Sequence, residues 1–535
     1  MVFQIARKEF LNNLLTARFV IGFVFCLVLV PFSILLNIGN YLDMMSQYKI
    51  DRDAAEKAVK EVRVYSALRP EVVIPPEPLS IFSNGISGQV GNRVKIWLGT
   101  KPMLASGKTA AGDNPFLSSF FSVDFVGIAG IVFSLLALLF SYDAFTREKE
   151  DGTLKLQMSN ALGRARLLAG KVLGILMTLL PILAFCYLLA AILILFSRNI
   201  AFSGLEWGRI VLLFGVSLLY LAIFVFIGVL VSALSRTSVT SLVLCLFVWV
   251  FFIFIVPNLS ANFAESFVRV QSRDNLDRVL SDMDRECERK TFEGYKTQAI
   301  PDEYNYWWFS SDHDGYKETY GSSGAMFEIE RRRSMISEPL RIEYADKKWA
   351  SQKAYLDRLT RQARVAETIS LVSPSGVFRT IASAICATDL RSRENEMDRI
   401  RQYRETFIRY LQNKNIFASF RWLTPALPES FLTEDEIIEK RTGGEFKTSK
   451  AFWAWAEQQK NRWAALQKLQ KVKLSGENPK DFPYLEISDM PRFPERPQGL
   501  FSGLAESVLN IGLLLVEMVF LFYLSFVAFI RYDVR

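Results

Sequence analysis

Glu506, Asn510 and Glu517 are the residues of this chain most at odds with their surroundings. They lie in the otherwise apolar run from Gly503 to Ile530. Their spacing of four and seven, at about 100° per residue, puts all three within about 40° of one helical face. Glu517 falls near the middle of the run, where burying a carboxylate costs about 3 kcal/mol on insertion scales. Two roles suit such a group. It lines a translocation path or pairs with a second chain at a seam, or it makes a structural hydrogen bond to a neighbouring helix, with Asn37 or a Ser/Thr hydroxyl as partner.

A second group is the charged loop SYDAFTREKEDGTLKLQMSNALGRARLLAGKVLG, from Ser141 to Gly174. Gly152 ends the charged turn Arg147 to Asp151, a helix can start at Thr153, and Lys171 sits at the membrane edge, where its stem can snorkel. Other chemistries are excluded by count. His313 is the one histidine, which removes Ser-His-Asp and Cys-His catalysis and His-rich metal sites. The five cysteines, Cys26, Cys186, Cys245, Cys287 and Cys386, contain no CxxC pair. Cys287 and Cys386 share one polar insertion, and the sequence leaves open whether they meet. SGKT at Ser106 to Thr109 lacks the first glycine of a phosphate loop, because that position is Pro102, and it reads as a turn.

The elements that must position these residues are membrane helices. Of 535 residues, 50% are hydrophobic and 22% charged, but charge is absent from long blocks and dense in others. About 20 residues at 1.5 Å each cross the hydrocarbon core. Six runs meet that length: Arg18 to Asp43, Phe125 to Tyr142, Val172 to Phe196, Ile210 to Ser235, Thr237 to Ser260 and Gly503 to Ile530. The first is too long for a cleaved signal peptide and reads as an anchor. Pro31 and Pro181 mark kinks. Lysine and arginine in short segments stay cytoplasmic. Arg7, Lys8 and Arg18, then Arg147, Lys149, Lys155, Arg164, Arg166 and Lys171, then Arg236, then Arg531 and Arg535 all fall on one side if the spans alternate. Both termini are therefore expected on the cytoplasmic side of the membrane. The net charge of +8 then gives no reason to invoke nucleic acid.

The inner loop resembles that of the permease subunits of ABC-2 type ABC transporters, where R-E-x-x-x-G-T-L precedes an arginine-containing helix and G-K-x-L. The matching positions here are Arg147, Glu148, Gly152, Thr153 and Leu154, then Arg164, Gly170, Lys171 and Leu173. The N-terminal IARKEFLNNLLTARF looks like the amphipathic elbow helix of such permeases, with Arg7, Lys8, Glu9 and Phe10 matching. A bacterial subgroup with large outer insertions is similar in two further segments. These are Pro76, Pro78, Leu79, Ser80, Phe82 and Gly85 in the first insertion, and SPSGVFRTIASAICATD, Ser373 to Asp389, in the second.

The resemblance implies an all-α polytopic membrane protein with six transmembrane helices and a large, mainly helical extracytoplasmic domain. The divisions are an elbow helix 1–18, span 19–42, insertion 43–120, span 121–142, coupling loop 143–171, spans 172–196, 210–235 and 237–260, insertion 261–502, span 503–530 and tail 531–535. It also implies a separate ABC ATPase subunit, in two copies, that carries ATP and Mg and docks on the loop. A second permease chain, identical or not, would complete the pathway among membrane lipids. No cofactor or metal is expected on this chain.

Within the second insertion, helical patterns cover Met326 to Leu371, broken at Pro339, Arg391 to Asn413, and Glu434 to Lys473, broken at Gly443 and Gly444. The aromatic groups Tyr304 to Phe309 and Phe452, Trp453, Trp455 and Trp463 could stack on sugars or insert at the membrane surface, but their helical setting favours a domain core. Arg331 to Arg333 read as a solvated face. Ile369 to Thr388 is too short and polar to span, and reads as an interfacial or domain-packing helix starting after Ser373, with Pro374 in its first turn. Three functions compete: an exporter permease, a mechanotransmission subunit that moves an extracytoplasmic domain or protein partner, and a structural scaffold.

Overall fold

The computed structural model describes residues 2–86, 91–103, 124–154, 163–197, 200–298, 310–313, 316–319, 323–458, 465, 467, 469, 482–494 and 505–531. Six helices are long and apolar enough to cross a membrane, with mean hydropathy from 2.3 to 2.9 over their most apolar windows. In hydrocarbon the backbone must satisfy its own hydrogen bonds, so each apolar run closes into a helix. After a short helix α1 (Val2–Leu14), the spans are α2 (Ala17–Lys60), α3 (Phe125–Ser141), α5 (Arg164–Phe196), α6 (Gly204–Leu234), α7 (Ser238–Phe267) and α14 (Ala505–Ile530), and a five-residue helix α4 (Thr146–Glu150) follows α3. The chain is an all-α polytopic membrane protein.

Helix α6 forms the spine of the bundle, with Phe224, Val225, Ile223 and Val229 fully buried. Its Gly228 lets α3 approach so closely that a Cβ there would overlap Ser141 Oγ. Hydrogen bonds tie the spans where apolar packing has no directional preference: Tyr220 to the Gly130 carbonyl at 2.8 Å, Tyr187 with Ser217 at 2.7 Å, and Trp249 to Ser134 at 2.9 Å. The structure extends several sequence boundaries. Helix α2 runs through Asp43 to Lys60, 44 residues, so it carries the first insertion on a rigid stem.

The large helical domain is assembled from both insertions. Helices α8 (Arg273–Lys296), α9 (Gly324–Ser370), α10 (Pro374–Ile385), α11 (Leu390–Asn413), α12 (Glu434–Arg441) and α13 (Ser449–Gln458) come from the second, with an antiparallel hairpin β3 (Ser310–His313) and β4 (Tyr316–Thr319). The first adds the antiparallel pair β1 (Glu71–Val73) and β2 (Arg93–Lys95). Val72, Ile74, Ile96 and Leu98 of the first insertion share one core with Ile400, Phe407, Leu411 and Trp422 of the second. The fully buried Arg404 fastens them, donating to the carbonyls of Trp97, at 2.8 Å, and Leu98.

Pro339 does not break α9, which continues for 47 residues. It costs one intrahelical bond, to the Met335 carbonyl, and packing along α8, fastened by Lys348 to Asp284 at 2.7 Å, supports the helix past it. Gly443 and Gly444, at φ of +64° and +84°, do end α12, in a conformation that favours glycine. Phe452 and Trp453 are buried against Ile437 and Ile438, which makes that aromatic group core. Tyr304 to Phe309, Trp463 and Ser106 to Thr109 lie outside the described residues. Cys287 and Cys386 are free thiols and form no disulfide with each other.

Candidate coupling site

The loop residues are organised by α4, which is too short to be stable alone and is held entirely by other elements. Its first amide donors, Phe145 and Thr146, both donate to Ser232 Oγ of α6, at 2.9 and 3.2 Å. Lys149 Nζ donates to the carbonyls of Ser232, Ala233 and Ser235, at 3.1, 2.6 and 2.8 Å, placing a cation on the C-terminal end of α6. Glu150 accepts from Ser238 N and Oγ, at 2.8 and 2.6 Å, at the N-terminus of α7. Ser241 Oγ donates to the Tyr142 carbonyl at 2.6 Å.

Lys171 of α5 is 2% exposed, so it does not snorkel as its position in the sequence implies. Its ammonium reaches Glu148 of α4 at 2.8 Å, Glu9 of α1 at 3.2 Å and the Ala144 carbonyl at 2.7 Å, beneath the Phe145 ring. One buried cation therefore holds two carboxylates from separate elements. Alongside it, Arg18 pairs with Asp143 at 2.7 Å and lies over the Tyr142 ring. Phe145 stacks on Phe529 of α14 with ring centroids 4.2 Å apart, and Arg164 donates to the Ile530 carbonyl.

Helix α1 can reach this cluster because α5 offers it a smooth track. A Cβ at Gly170 would lie 2.7 Å from Ile5 Cβ, and one at Gly174 would lie 2.6 Å from Glu9 Cβ. This is the small-xxx-small approach used between membrane helices. Ala6 and Ile5 face α5, while Arg7, Lys8 and Phe3 are exposed and Phe10 is half-buried.

Of the loop residues singled out by sequence, Glu9, Glu148 and Lys171 come together and are turned inward. Leu154 is buried as an anchor. Arg147, Gly152 and Thr153 are exposed, with Gly152 at φ +71° making the reversal after α4. The outward side chains between Arg147 and Thr153 face solvent, and the inward edge is bonded to α5, α6 and α7, with α1 joined through Lys171. Ser232 and Glu150 were not distinguished by sequence, and Lys149 only for its charge, since their partners are backbone amides, carbonyls and a hydroxyl about 85 residues away in the chain.

The polar stripe is separate. Asn510 and Glu517 are both half-buried on α14, and the side chain of Glu506 lies outside the described residues. Glu517 Oε2 is shielded from solvent without a hydrogen-bond partner among the described residues. Asn37 is engaged elsewhere, donating to the Ile81 carbonyl at 3.0 Å. Ser525 holds α14 to the Phe226 carbonyl of α6 at 3.1 Å.

At the opposite end of the bundle the two insertion segments Pro76 to Gly85 and Ser373 to Asp389 meet. Leu79 and Phe82 are buried in the bundle core, Phe82 edge-on to Phe125. Ile86 N donates to the Thr388 carbonyl at 3.0 Å, and Gly85, at φ +47°, presses so closely on that carbonyl that no side chain fits. Helix α10 begins after Ser373 with Pro374 in its first turn, as its sequence predicts, and sinks Val377, Phe378, Ile381 and Ile385 into the core of the bundle. Phe378 stacks on Tyr220 at 4.5 Å.

Six spans, a loop helix wired to its neighbours and a helix folded back into the bundle define a polytopic membrane protein. Residues 3–534 match the family model described as ABC-2 family transporter protein, and the chain belongs to that family. A stretch of 69 residues is 44% identical to the probable ABC transporter permease protein NosY of Pseudomonas aeruginosa, over 13% of this chain and 25% of that protein. The chain thus spans about a quarter of the length of this curated relative.

Proposed function

We propose that this chain is the non-catalytic permease subunit of an ATP-driven ABC transporter in a bacterial cytoplasmic membrane, with both termini inside. A separate ATPase, in two copies carrying ATP and Mg, docks on the exposed edge Arg147 to Thr153. A second permease chain completes the assembly, and export of a cargo is the leading reading. The observation that carries it is the construction of α4, with one edge exposed and the other bonded to three helices, and to α1 through buried Lys171. A push on such an element reaches α1, α5, α6 and α7 together. Family membership supports the same assignment.

Copurification of an ATPase tests this. Arg147→Glu and Asp151→Arg should abolish capture while leaving the yield of the permease intact, because both side chains are exposed. Retention of the ATPase by both variants would remove the loop as the dock. Glu148 is unsuitable, since reversing it also breaks the Lys171 cluster.

Mechanotransmission, in which hydrolysis moves the helical domain and any protein partner on it without cargo crossing, is favoured by a different observation. Helix α10 connects that domain directly to the spans.

A further inference from the structure

The middle of α7 is wound as a π-helix from Phe251 to Ile255. Val256 N donates to the Phe251 carbonyl, so the next nitrogen should serve Phe252, but it belongs to Pro257 and carries no hydrogen. The Phe252 carbonyl is thereby left without an intrahelical donor inside the bilayer, where water cannot serve it. Ser373 and Ser375, more than a hundred residues further along, both place their hydroxyls 2.8 Å from it.

We infer that Ser373 and Ser375 are positioning residues: they latch α10 onto the π segment of α7 and pass movement of the fifth span to both insertions. The path is continuous. Glu150 of α4 holds Ser238 at the N-terminus of α7, and the π segment further along α7 holds the N-terminus of α10. The turn Ser370 to Ser373 joins α10 to the 47-residue α9, with Gly376 pressed against the Ser370 carbonyl. At the other end of α10, Thr388 receives Ile86 of the first insertion. This deepens the mechanotransmission reading and rests on it for the transmission step, whereas the latch itself does not.

Hydrogen exchange by mass spectrometry on the full-length chain in lipid nanodiscs tests the latch without any ATPase. The double variant Ser373→Ala with Ser375→Ala should exchange roughly tenfold faster through α10 and residues 81–86, with α11 and α12 unchanged. Unchanged protection of α10 overturns the latch. Pro257→Ala supplies the missing N–H. In the double-alanine background it should restore protection around residues 250–257 but not in α10, and restoration of α10 would show that the hydroxyls do not position it.

A second arm adds the copurified ATPase. A nucleotide-dependent change in exchange at β1 and β2 is expected in the wild type and lost in the double variant, with ATPase capture retained. A change that persists in the double variant overturns transmission through the latch and leaves the mechanotransmission reading standing. No change in the wild type removes that reading and the transmission step together, while the first arm still decides the latch.

Discussion

Lys171 and Lys347 carry the same ammonium group and pair with glutamates at almost the same distance, 2.8 Å to Glu148 and 2.7 Å to Glu343. Their consequences differ completely. Lys347 and Glu343 are four residues apart on α9, both about half exposed, and their pairing joins nothing that the helix does not already join. Lys171 is buried and bridges α5 to α4 and, across 162 positions, to α1. The helical domain is rich in pairs of the first kind, Arg285 with Asp282 and Arg331 with Glu328 among them. The loop end of the bundle is built from the second kind. A charge acts as a connector only where burial removes water as an alternative partner and the counter-charge comes from another element.

The largest test of that contrast is Lys171→Met. It leaves the mostly buried carboxylates of Glu9 and Glu148 without a counter-charge, a loss of up to about 3 kcal/mol. The full-length protein should lose its monodisperse peak on size exclusion in detergent, and Glu9→Leu with Glu148→Leu should recover much of it. Normal behaviour of the single variant would erase the difference between the two kinds of pair. Next comes Gly174→Leu, which drives a side chain into Glu9 and Ala6 of α1. A cost of about 1–3 kcal/mol is expected for this overpacking. It should release α1, seen as faster proteolysis at Arg7 and Lys8 with the rest of the chain protected.

Glu338 is one exception inside the helical domain, because burial raises its pKa despite Arg341. A carboxyl whose folded pKa is raised holds its proton more tightly when folded. Its favourable contribution is complete below the ordinary value near 4.5 and is lost as the pH rises through the folded value. Glu338→Gln should therefore raise the thermal midpoint at pH 7 and leave it unchanged near pH 4. The same gain at both pH values would detach the effect from ionisation.

Glu328 has the opposite sign. Hydrogen bonds from Arg331 and Arg332 lower its pKa to about 2, so its contribution is present above the ordinary 4.5 and disappears as the pH falls toward 2. Glu328→Gln should flatten the acid side of the stability profile, by a small amount because a third of the side chain meets solvent. Smallest of all is Arg285→Gln, which removes an exposed pair and should leave the midpoint where it was. A measurable drop there would mean that local pairs carry more of the domain than the contrast allows.

Much of this was legible in the residues. Five charge-free runs and a sixth interrupted by two glutamates announced the spans, because a hydrocarbon solvent imposes a length and a polarity that any reading of the chain detects. Gly443 and Gly444 announced a helix end, and Ser373 followed by Pro374 announced a helix start. Pro339 misled, since a missing hydrogen bond in one helix can be outweighed by packing along another. Lys171 misled in a different way: its place at the end of an apolar run implied an escape to water, and two glutamates supplied a buried alternative.

By itself, then, the sequence determined the all-α membrane architecture and the identity of the charged loop, since both follow from the order of apolar and polar residues along a few turns of chain. The tertiary structure decided which carboxylates Lys171 holds, that Pro76 to Gly85 and Ser373 to Asp389 share one seat, and that two serines complete the carbonyl exposed by Pro257. Those pairings join residues 23 to more than 300 positions apart. Which of many possible partners meet is settled by how whole helices pack, and local propensity does not encode it.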